Sequence, residues 1–119
     1  MSLYLPKQTT GNSNSITFNF SSLPEDAIVT KIIVDASTGM TSGGNGAIVS
    51  NNVFIKGPDM NNYVSTPWGS GNKTTITTGV IGKLAKGTWS IYYNGSNVST
   101  LSDAYKQYKN VKVTIHYSY

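Results

Sequence analysis

Apolar residues recur at every second position in several stretches of this chain, and no stretch of ten or more residues keeps them at helical spacing. The clearest run is at the C-terminal end. Val111, Val113, Ile115, Tyr117 and Tyr119 share one face, and Lys112, Thr114, His116 and Ser118 share the other, the pattern of a strand with one face buried. Ile16, Phe18 and Phe20 alternate in the same way with Thr17 and Asn19, while residues 28–34 are β-rich on both faces, as a central strand would be. Val53-Phe54-Ile55 is closed by Gly57-Pro58-Asp59, and a Trp/Ile/Tyr run over residues 88–93 is closed by Asn94-Gly95, a strong turn signal. Weaker strand patterns cover residues 2–5, 47–50, 63–66 and 74–84, the last expected to bend at Gly79 and Gly82. Two short helical turns also fit: residues 23–27, with Pro24 in the first turn, and residues 102–108, with Ser102 as N-cap. Residues 37–45 and 68–73 read as mobile loops.

Strands spaced by roughly 10–15 residues and separated by Gly, Pro and Asn turns predict an all-β fold rather than alternating β-α-β units. The expected architecture is a two-sheet β-sandwich of jelly-roll type, formed by residues 1–119 as a single domain. Its expected core holds Ile16, Phe18, Ile32, Val34, Phe54, Ile55, Trp89, Ile91, Val113 and Ile115.

Composition narrows the function classes. Asn, Ser and Thr number 12, 15 and 14 beside 12 Gly, while charged residues are only 12% of the 119, about half the usual share. Such a surface suits a bacterial extracellular domain, with no signal peptide in this sequence. No apolar run approaches the length of a membrane helix, so no membrane insertion is expected. The net charge of +4 comes from nine Lys and no Arg, the residue that grips phosphate and guanine bidentately, so nucleic acid is not an expected partner. Cys is absent and His116 is the lone histidine, which removes disulfides, thiolate metal sites and His-rich ones.

Candidate chemistry is sparse. His116 lies mid-strand on a polar face and no Ser sits in a Gly-x-Ser-x-Gly elbow, so a catalytic triad has no support; Glu25-Asp26 beside Pro24 reads as turn chemistry rather than a glycosidase pair. The chain is not expected to be an enzyme or to need a cofactor. Calcium is the one metal that oxygen donors of this kind could hold, with Asp59, Asp35 and Asp103 as candidate ligands, and capping of nearby amides is the plainer role for those carboxylates. Trp68, between Pro67 and Gly69, and Tyr63, beside Asn61 and Asn62, form the candidate ligand surface, because flat rings cover sugar C–H faces while amides bond hydroxyls. Asn19, Asn72, Asn94 and Asn97 stand in Asn-x-Ser/Thr sequences, as expected by chance at this composition.

The strand at residues 28–34, then Phe54-Ile55-Lys56-Gly57-Pro58-Asp59, then Lys86-Gly87-Thr88-Trp89-Ser90-Ile91 before a final strand form an ordered set. That order resembles the P-domain of proprotein convertases and bacterial secreted proteases, a jelly-roll sandwich with a Leu-x-x-Pro-Asp/Glu-Gly type turn and a Gly-x-Trp-x-Leu strand. The resemblance implies a non-catalytic accessory module, and it carries over Asp59 alone as a calcium ligand. Met60 stands where the family has Gly, and the family's acidic His-Thr-Tyr-x-Gly-Asp-Leu segment has no counterpart after Val34. Two readings of function follow: an extracellular binding module for a glycan or protein surface, or a structural subunit of an adhesin, surface layer or phage particle. The second would associate through edge strands, as a homo-oligomer built on residues 111–119.

Overall fold

Strand pairing organises the whole chain in the computed structural model, which describes residues 1–119, all but the side chain of Ser70. The strands are β1 (Ser2–Leu5), β2 (Thr10–Asn12), β3 (Ile16–Phe20), β4 (Ile28–Gly44), β5 (Ile48–Lys56), β6 (Val64–Pro67), β7 (Lys73–Ile76), β8 (Gly87–Asn97) and β9 (Ala104–Ser118), with a 3-10 turn at Ser70–Asn72. Every pairing is antiparallel. The first sheet has the order β1-β9-β4-β7 and the second β2-β8-β5-β6. β3 follows β2 along the same edge of β8, β2 facing residues 94–96 and β3 residues 87–91. The all-β sandwich expected from the alternating pattern is thus present.

Period-2 alternation sends one face of each sheet inward. Ile32, Val34, Ile76, Tyr108, Val113 and Ile115 of the first sheet meet Val53, Ile55, Trp89, Ile91 and Tyr93 of the second, all of them buried. Two of these core aromatics satisfy their polar tips: Trp89 Nε1 donates to the Ala85 carbonyl at 2.9 Å, and the Tyr93 hydroxyl to that of Lys106 at 2.8 Å. In β4, Val29 and Ile32 are both buried although three residues apart. A bulge between Val29 and Lys31 inserts one residue against β9 and resets the alternation. A second shift, between Asp35 and Thr38, lets β4 continue to Gly44.

Four expectations change. Residues 37–44 are strand and not loop, because β9 supplies the ladder that their Gly-rich polar sequence does not favour locally. Residues 102–108 are not helical. Ala104 and Tyr108 are both buried at a helix-like spacing, but β1 and β4 pair on either side and hold the segment extended. Of residues 74–84 only the first few are strand; Gly79 and Gly82, at φ +82° and +84°, turn the chain instead. Phe54 points away from the core and stacks on Tyr92, its register partner, with centroids 4.6 Å apart. Of the remaining expected core residues, Ile16 and Phe18 are half-buried and the others buried.

Candidate functional site

The three aspartates named as calcium ligands lie apart. Asp35 sits at the second β4 bulge, where its carboxylate accepts the Ser37 amide at 2.9 Å. The Ser37 hydrogen bonds, ahead of the nearby Lys73 and Lys112 charges, hold this carboxyl below its ordinary value. Asp59 accepts the Leu84 amide at 3.1 Å and lines a recess of about 280 Å³ with Asn61 and Asn62. Asp103 precedes β9. Asp35 and Gly44, the residue paired beside Asp103, stand nine steps apart along β4, or about 25–30 Å of strand. Among the described residues no three His, Cys, Asp or Glu gather as metal donors.

The candidate aromatics also divide. Trp68 folds back over the sandwich, its ring 5.3 Å from that of Tyr108, and its Nε1 is buried with no acceptor among the described residues. Tyr63 is on the outer face of the second sheet. Its hydroxyl meets Ser90 Oγ at 2.6 Å and its ring lies edge-on to Tyr92 at 4.8 Å, with the Lys56 ammonium 5.2 Å from its centroid. Asn61 and Asn62 stay exposed in the Asp59 recess. His116 is exposed opposite Lys31 on the outer face of the first sheet.

A different group converges where β1, β4 and β9 meet. Tyr4 and Tyr105 are register partners and remain 63% and 46% exposed. On its other side Tyr105 pairs with Gly43, where a Cβ would collide with the Tyr105 ring. The hydroxyl end of the Tyr105 ring therefore packs directly against Gly43, an approach that only glycine permits, while the residue stays exposed. The Tyr4 hydroxyl donates to Asp103 Oδ2 at 2.7 Å, and the Lys7 amide donates to Oδ1 at 3.2 Å. The bond to Asp103, followed by desolvation and the carboxylate's charge, raises the Tyr4 hydroxyl above its ordinary value. Tyr4, Lys7, Asp103 and Tyr105 line a groove of about 430 Å³ together with Asn45, Ser102 and the exposed Leu101.

Such a groove offers an aromatic platform, a fixed carboxylate whose oxygens have lone pairs to spare, an amide and a hydroxyl. Asp103 was legible in the sequence only as a calcium candidate, and nothing in its local pattern singled out Tyr105. Gly43 carried the missing signal, because a glycine opposite an aromatic in adjacent strands leaves room for the ring to close onto the backbone. Comparison with known proteins finds no matching family model, no matching curated protein and no matching solved structure.

Proposed function

We propose that this chain is a non-catalytic extracellular binding module that takes a carbohydrate on the Tyr4–Tyr105 groove. The observation that carries the reading is the exposed Tyr105 ring packed against Gly43, with the Asp103 carboxylate held beside it by Tyr4 and Lys7. A pyranose stacks its C–H face on such a ring while its hydroxyls bond the carboxylate, Asn45 and Ser102. The strand order supports a jelly-roll reading of the sandwich. With β2 and β3 counted as one interrupted strand, eight strands fall into two sheets of four, each mixing early and late strands as a wound pair of Greek keys does. That reading agrees with the P-domain resemblance, and the amide- and hydroxyl-rich composition agrees with an extracellular setting.

The test is an NMR titration with neutral hexose and N-acetylhexosamine oligosaccharides. Amides of residues 43–45 and 101–105 are expected to shift, and Tyr105→Ala and Asp103→Asn are each expected to weaken binding about tenfold or more. Shifts confined to the Tyr63–Tyr92 face, or none with any sugar of the panel, would reject the reading. One observation favours a second role, as a structural or assembly subunit: among the described residues, β9 beyond Tyr108 pairs with β4 alone.

A further inference from the structure

Charge is unevenly shared between the faces of the sandwich. Among the described residues the ion pair within 4 Å is Lys86 with Glu25, at 3.7 Å; Lys83 shares the recess of Asp59, and Lys7 the groove of Asp103. The outer face of the first sheet is different. Lys31, Lys73, Lys109 and Lys112 stand there, each exposed beside a buried neighbour in its strand: Ile32, Thr74, Tyr108 and Val113. Of the five acids only Asp35 is carried on a strand, and it pairs with Lys73 on one side and Lys112 on the other. Those two lysines are therefore about 10 Å apart across three strands.

The second register shift of β4 shapes this face into a groove. Ala36 and Ser37 stand opposite Val111 alone, so β4 bends there. Gly39, at φ +77°, lets the Asn110 amide close onto its backbone, where a Cβ would lie 2.6 Å from Nδ2. The result is a recess of about 490 Å³ lined by Asp35, Ser37, Thr38, Lys109, Asn110 and Lys112. Along β9 it follows directly on the Tyr105 groove. Tyr105, Gln107 and Lys109 face outward in alternation with the buried Ala104 and Tyr108, and the row between the two grooves, Ser2, Gln107 and Thr41, is polar. Tyr105 is about 13 Å from Lys109 along the strand and about 20–23 Å from Lys112.

We propose that the two grooves hold one glycan chain and that this chain is acidic, a polysaccharide in which neutral sugars alternate with uronates. The proposal rests on the carbohydrate reading of the Tyr105 groove and names its substrate class. With a neutral ring on Tyr105, the chain runs along β9 over Ser2, Gln107 and Thr41. Lys109 and Lys112 then meet a uronate carboxylate, while Ser37, Thr38 and Asn110 bond hydroxyls. Asp35 sets the charge density. Its carboxylate, between Lys73 and Lys112, accepts sugar hydroxyls but repels a chain with an anion on every unit, such as a nucleic acid or a heavily sulfated glycan. The sequence has no Arg, so the face also lacks the planar fork that grips phosphate.

NMR titration with hyaluronan and unsulfated chondroitin octasaccharides, each native and with its carboxylates reduced to alcohols, tests it. At least one native form is expected to shift the amides of residues 35–38 and 109–112 together with those of residues 101–105. It should bind about tenfold more tightly than its reduced form at low salt, an advantage that shrinks as salt is added. Lys109→Gln combined with Lys112→Gln, both at exposed positions, should remove that advantage and leave the reduced form bound as before; Lys83→Gln should change neither. Equal affinity for native and reduced forms, with shifts at residues 101–105, overturns the acidic chain and leaves the carbohydrate reading standing. Shifts at residues 109–112 without any at residues 101–105 overturn both. No shift with any of the four overturns the acidic chain, and the neutral panel then decides the carbohydrate reading separately. Single-stranded DNA bound as tightly as the native octasaccharide also overturns the proposal, since charge alone would then account for the binding.

Discussion

Asn97 is a buried amide at 2% exposure, and it ties three segments together. Its side-chain nitrogen donates to the Leu5 carbonyl at 3.1 Å and the Ser102 carbonyl at 3.0 Å, and its oxygen accepts the Ser99 amide at 3.0 Å. It therefore clamps the end of β1 and the loop that carries Asp103 onto the end of β8. Asn97→Ala removes three bonds, each worth about 1 kcal/mol net, and leaves backbone groups without partners where water enters poorly, so the expected loss is about 3 kcal/mol. Asn97→Asp should cost more, because a carboxylate would face two carbonyl oxygens that had accepted from an N–H₂ group. Urea unfolding measures it. With a slope of about 1.5 kcal/mol/M the midpoint should fall by about 2 M, and the slope should not change. The loop should loosen as well, so sugar binding at the Tyr105 groove should weaken along with stability. A midpoint within about 0.3 M of the parent protein would refute the clamp, since it corresponds to less than one ordinary hydrogen bond.

Gly57→Ala places a methyl group 2.7–2.8 Å from the buried Trp89 indole and should destabilise by about 1–3 kcal/mol, read from the same unfolding curves. Burial first, then the neighbouring Tyr108, raises the Tyr93 hydroxyl well above its ordinary value of 10.0. A group raised on folding stabilises below its unfolded value and loses that contribution as pH climbs, so stability should decline above about pH 10, with Tyr93 ionising only on unfolding in an absorbance titration. Asp35 has the opposite sign: its contribution is present above the unfolded carboxyl value and disappears as acid protonates the folded form, and carbon-detected NMR should place its midpoint below that of an ordinary aspartate. Millimolar calcium should leave the melting temperature where chelator leaves it, because Asp35, Asp59 and Asp103 are bound to separate backbone amides; a rise of several degrees would show that oxygen donors assemble elsewhere.

Alternation alone was enough to specify the β class, the two-layer sandwich and most of its core. Val113, Ile115, Trp89 and Ile91 carry that information locally, since a period of two has meaning only for a strand with one face against an apolar layer. Polar stretches were legible only in part. The Gly- and Ser-rich residues 37–44 have no strand signal of their own and become strand because β9 offers hydrogen bonds along their whole length. Phe54 and Ile55 read alike as sequence, and pairing register decided which one turned inward, because a step of one residue exchanges the two faces. The aspartates and aromatics were visible as types but not as neighbours. Gathering Tyr4, Gly43, Asp103 and Tyr105 takes contacts across about a hundred positions of chain, which strand order creates and no local pattern encodes.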